Sequence, residues 1–105
     1  MNKTHEDVYF VTTIHLDNMG EIVRKRCIGW YPTWVHAKMA VEHNYGDMYE
    51  NGHYNHAVVE RLGPGIYPMH QSKFEVWYQW HRRSERYIET RKPKRLARTV
   101  NFAIG

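Results

Sequence analysis

VYFVTTIHLDNMGEIVRKRCIGWYPTW, residues 8–34, reads as strand, turn, strand and helix start. Residues 8–16 are dense in β-branched and aromatic side chains, which fit a pleated, half-buried surface. Over residues 21–30, Ile22, Arg24 and Arg26 alternate with Val23, Lys25 and Cys27, the two-residue period of a strand. Asp17-Asn18-Met19-Gly20 between them tolerates left-handed backbone angles and predicts a tight antiparallel hairpin. Pro32 then fixes its own φ and stops the strand, and Thr33 is placed to accept an amide N–H as a helix N-cap.

From Trp34 to about Tyr45, the side chains of Trp34, Ala37, Ala40, Val41 and Tyr45 recur at helical spacing along one side, predicting a helix that packs on the sheet. Gly46 and Gly52 punctuate its end, and Asp47 to Asn51 form a turn-rich connection. Residues 54–61 read as a third, central strand, with Ala57 and Val59 on one face and His56 and Val58 on the other. Residues 62–68 are a loop by their glycines and prolines. Phe74, Val76, Tyr78 and Trp80 then alternate with Glu75, Trp77, Gln79 and His81 in a fourth strand. Residues 82–85 suit a turn and 86–90 a short fifth strand, before Pro93 and a brief helix or loop.

The order β-β-α-β-β-β predicts an α+β fold, a two-layer domain in which an antiparallel sheet of about five strands is packed by one main helix. At 105 residues, 42% hydrophobic and 25% charged, the chain suits a single domain spanning 1–105. Four tryptophans and eight tyrosines are many for so small an interior, so a partner subunit is expected to cover the second sheet face, as a homodimer.

No stretch approaches the roughly 20 apolar residues of a membrane span, and residues 1–7 carry no secretory pattern, so a cytoplasmic location is expected. Cys27 is the only cysteine, which removes disulfides and multi-cysteine zinc frameworks and leaves it as a small core residue. The eight histidines supply no ligand set, since His53 and His56 straddle a loop–strand junction and His36 and His43 lie about two helical turns apart. No metal and no cofactor are expected. Glycine-rich phosphate loop, G-x-S-x-G and H-E-x-x-H are absent and the carboxylates are scattered, which favours binding over catalysis.

Charge is concentrated late in the chain. Residues 82–98 hold eight basic side chains against Glu85 and Glu89, a local +6 in a chain whose net charge is +4. Trp77, Tyr78 and Trp80 lead directly into Arg82, Arg83 and Arg86. Rings stack on bases and guanidiniums grip phosphates, so this segment fits a nucleotide ligand, small or polymeric.

Gly29-Trp30-Tyr31-Pro32-Thr33 opening a helix, Ala40-Val41 within it, Asn44-Tyr45-Gly46-Asp47-Met48-Tyr49-Glu50, Tyr54-Asn55-His56-Ala57-Val58-Val59-Glu60, Gly65-Ile66-Tyr67-Pro68 and Trp77-Tyr78-x-Trp80 follow one another in this order. In that succession, over about residues 8–93, the chain resembles the type 1 Thoeris anti-defence proteins of bacteriophages and prophages. No single motif is specific. The resemblance implies a sponge: dimers, sometimes assembled further, that sequester cyclic ADP-ribose isomers without cleaving them, some members also holding cyclic oligonucleotides at separate sites. It implies a pocket at the subunit interface where the aromatic strand meets the C-terminal segment, about residues 91–105. Trp77, Tyr78 or Trp80 would stack on the base, Arg82, Arg95 and Arg98 would hold the diphosphate, and Asn101 and Phe102 would close the site. The Arg82-Arg83-x-x-Arg86 turn and the Lys92-to-Arg98 run depart from that pattern and leave the ligand's identity open. Two other readings share the basic segment: a small nucleic-acid-binding module, and a protein–protein inhibitor that docks on an acidic host defence protein.

Overall fold

The computed structural model describes residues 7–63 and 74–103. Its sheet is antiparallel, with strands β1 (Val8–Leu16), β2 (Ile22–Tyr31), β3 (His56–Leu62), β4 (Glu75–His81) and β5 (Arg86–Thr90) in the spatial order β2-β1-β3-β4-β5. One main helix, α1 (Trp34–Glu42), lies on it, giving the α+β order β-β-α-β-β-β expected from the sequence. The strand read as central, β3, is central. From residue 64 onward, the expected loop and the Gly65-to-Pro68 motif lie outside the described residues.

The hairpin between β1 and β2 is built as its turn residues dictate. The Asp17 carboxylate accepts the backbone N–H groups of Met19 and Glu21, each at 2.9 Å, and the Asp17 carbonyl accepts that of Gly20 at 2.9 Å. Gly20 has φ +82°, and a Cβ there would meet Cγ of Arg95 at 3.0 Å, so glycine answers both backbone and space. Further along, the register slips opposite Val11 and Thr12, so that Ile28 has no cross-strand partner and turns toward the helix side.

The hydroxyl of Thr33 accepts the N–H of His36 at 3.2 Å and starts α1. The helix is shorter than the sequence suggests. Asn44, at φ +51°, closes it in a Schellman turn, with Tyr45 N–H on the Ala40 carbonyl (2.9 Å) and Asn44 N–H on that of Val41 (3.1 Å). Tyr45, read as part of the buried stripe, therefore leaves it and is 49% exposed. Ala37, Ala40 and Val41 are buried against Val11, Ala57, Val59, Tyr78 and Tyr87.

The second sheet face, for which a partner subunit was the expected cover, is covered over part of its area by the chain itself. Leu96 and Phe102 pack on Ile14, Leu16, Val58 and Trp77. Outside that cover, Trp30 is 58% exposed and Cys27 is also exposed. The core placement read for Cys27 is thus corrected: β2 is an edge strand, and its residues 23–27 are all exposed.

Candidate functional site

The eight residues singled out in the sequence separate into three places. Tyr78 is fully buried on the helix side, and burial, reinforced by Glu42 and Glu89, pushes its phenol above the ordinary tyrosine range. Trp77, one residue earlier, points to the opposite face, 2% exposed, with its ring edge-on to Phe102 at 5.1 Å. Alternation along β4 makes this unavoidable: adjacent strand residues cannot serve one pocket. In the folded chain neither ring offers a face to a ligand.

The C-terminal segment works as a strap. Glu60, fully buried in β3, accepts the backbone N–H groups of Phe102 (2.9 Å) and Ala103 (3.0 Å). Lys92 pairs with Glu75 at 3.0 Å, donates to the Thr99 carbonyl at 2.8 Å and sits over the Phe102 ring. Arg95 is bound to Glu21 at the β1–β2 turn, and Asn101, at φ +60°, is buried. Asn101 and Phe102 hold the strap down, and Arg98 is exposed beyond them.

Trp80 and Arg82 are the two that the structure brings together with something new. Trp80 stacks on Tyr49, rings 3.7 Å apart and within 7° of parallel, with Tyr87 edge-on to both. Tyr87 is locked beneath by donating its hydroxyl to the Tyr54 carbonyl at 2.7 Å, and burial pushes its phenol well above the usual range. Two open grooves share Trp80 and Arg82. One, about 600 Å³, is lined by His81, Arg83, Gln79 and Glu89 among others. The other, about 620 Å³, is lined by Asn44, Asp47, Tyr49, Asn51 and Glu85.

The second groove owes its shape to residues 44–52. Asn44, Gly46, Asp47, Glu50, Asn51 and Gly52 all have positive φ, a density of left-handed backbone that the surroundings must hold in place. The Asn44 side chain does so, accepting the Tyr49 N–H at 2.9 Å and donating to Asp47 at 3.2 Å. Tyr49 is thereby aimed at Trp80. The Asn and Gly density of NYGDMYENG is the signal that sequence reading left unused.

In the β4–β5 turn, the Ser84 backbone N–H donates to Nδ1 of His81 at 3.4 Å and the Ser84 hydroxyl lies 2.7 Å from the same atom. A backbone N–H only donates, so Nδ1 accepts and the neutral ring carries its proton on Nε2. Arg82, Arg83 and Arg86 have no ion-pair partner among the described residues. The arrangement combines a half-buried aromatic stack, guanidiniums without an ion-pair partner among the described residues, and the three carboxylates of Asp47, Glu85 and Glu89.

Comparison with protein-family models, curated proteins and solved structures finds no match for this chain. Among the described residues, no helix is long and apolar enough to cross a membrane.

Proposed function

We propose that this chain is a non-catalytic binding protein for a phosphorylated, base-bearing ligand, held at the Trp80–Arg82 ridge. The observation that carries the reading is the Tyr49–Trp80 stack with Arg82, which has no ion-pair partner among the described residues, beside it. Aromatic rings favour bases by stacking, and a guanidinium favours phosphate by bidentate hydrogen bonds. Together with the motif succession quoted above, this supports a phage or prophage anti-defence role in the bacterial cytoplasm. The chain would act as a homodimer that sequesters a cyclic nucleotide immune signal, a cyclic ADP-ribose isomer or a cyclic oligonucleotide, and releases it intact.

Isothermal titration with cyclic ADP-ribose isomers and a panel of cyclic di- and trinucleotides, followed by heat release and chromatography, tests this. The expected result is saturable binding, intact recovery, and loss of binding in Trp80→Ala and Arg82→Ala. Silence across the panel overturns it.

A second reading draws on a separate observation. Arg82, Arg83, Arg86, Arg91, Lys94 and Arg98 have no ion-pair partner among the described residues. If the ligand is a nucleic acid, these charges give an affinity that falls steeply with salt through counterion release.

A further inference from the structure

The two grooves at the Trp80–Arg82 ridge differ in charge. On one side, Arg82 and Arg83 stand against the single carboxylate of Glu89. On the other, Arg82 alone stands against Asp47 and Glu85. A phosphate is attracted to the first and repelled from the second, so a nucleotide lying across the ridge is oriented: phosphate toward Arg83, sugar and base toward Asp47.

What the acidic side recognises follows from its donor and acceptor inventory. Ionised Asp47 and Glu85 only accept hydrogen bonds. They suit a ligand group that donates without carrying negative charge. A metal ion is the first alternative, but among the described residues no three His, Cys, Asp or Glu side chains are grouped to hold one. The vicinal hydroxyls of a ribose are the donors that a nucleotide brings next to its base, and carboxylates are the acceptors that read them. From the aromatic stack, the arginine and these two carboxylates in one groove, we infer that Asp47 and Glu85 are ribose-reading residues and that the site selects ribonucleotides over 2′-deoxyribonucleotides. The inference rests on the nucleotide-binding reading above and adds the sugar class.

Removing one hydroxyl exchanges its hydrogen bond to an exposed carboxylate for one from water, and a net loss of about tenfold in affinity is the scale of one such hydrogen bond. The experiment is a nuclear magnetic resonance titration of the full chain with ADP and with 2′-deoxy-ADP to millimolar concentration. It is repeated on Glu85→Gln and on Arg83→Ala. The wild type is expected to bind ADP about tenfold more tightly than the deoxy form. Glu85→Gln is expected to bring the two together, and Arg83→Ala to weaken both alike. Equal affinities in the wild type overturn the ribose inference while leaving nucleotide binding in place. No shift with either nucleotide overturns the inference that this groove reads a nucleotide's ribose, while the cyclic-nucleotide reading stands or falls on the titration panel above.

Discussion

Glu60 in the central strand binds the backbone of Phe102, its buried carboxylate accepting that residue's N–H at 2.9 Å and the next at 3.0 Å. A polar acceptor sealed at the centre of a sheet is costly unless its partners stay in place. Glu60 therefore makes the strap part of the fold. Glu60→Gln keeps the shape but turns an amide donor toward one of the two backbone N–H groups; it is expected to lose about 1–3 kcal/mol of stability in urea unfolding. A loss within a few tenths of a kcal/mol would mean that the strap is not held through this carboxylate.

Phe102 gives the apolar half of the same attachment. It is 2% exposed and meets Trp77 edge-on. Phe102→Ala is expected to cost about 3–5 kcal/mol, the range for truncating a buried aromatic. It should also red-shift tryptophan emission as Trp77 meets water. An unchanged spectrum would show that Trp77 is covered by something else.

How far sequence carried the fold is clear from these contacts. The β1–β2 hairpin, the Thr33 cap and the alternation of β4 depend on neighbours a few residues apart, and their signals are local. The grip of Glu60 on Phe102 spans 42 residues, and no periodicity encodes it. The resemblance offers Trp77, Tyr78 or Trp80 as the stacking ring and marks the strand without marking which of its faces the pocket takes. At Trp77 and Tyr78, with β4 in mid-sheet, both faces are interior. Arg95, which the resemblance would place on the diphosphate, pairs with Glu21 at the hairpin turn, a contact 74 residues apart in sequence that no local signal marks. Trp80 and Arg82, at a strand end and the turn that follows, are marked by their neighbours in sequence. Tyr49, Asp47 and Glu85, the further residues of the proposed groove, are not, since their placement depends on left-handed backbone at non-glycine residues.

His56 gives a pH dependence with a definite sign. Burial, with His15 adding to it, lowers its pKa from 6.5 to about 4. Below pH 6.5 the unfolded chain takes up a proton that the folded chain refuses until about pH 4, so this contribution to stability is complete above 6.5 and declines between 6.5 and 4. Allowing for screening at the ring's solvent-facing side, the loss is about 1–2 kcal/mol. Comparing Tm at pH 7.5 and 4.5 for wild type and His56→Gln isolates it from the carboxylates. The wild type is expected to fall further; parallel decline would remove His56 as the cause.

Glu85 links stability to the inferred site. It lies at φ +56°, closing the β4–β5 turn with its N–H on the His81 carbonyl at 2.8 Å. A left-handed residue with a Cβ is strained by roughly 1–2 kcal/mol, and glycine is not. Part of that relief is lost to the greater freedom of glycine in the unfolded chain. Glu85→Gly is thus expected to raise stability by about 0.5–1 kcal/mol and, in the same protein, to erase the preference for ADP over 2′-deoxy-ADP. The two readouts separate cause from coincidence. Higher stability with the preference intact would make Glu85 a turn residue alone, whereas a gain in stability paired with lost discrimination is what a strained residue kept for its carboxylate predicts.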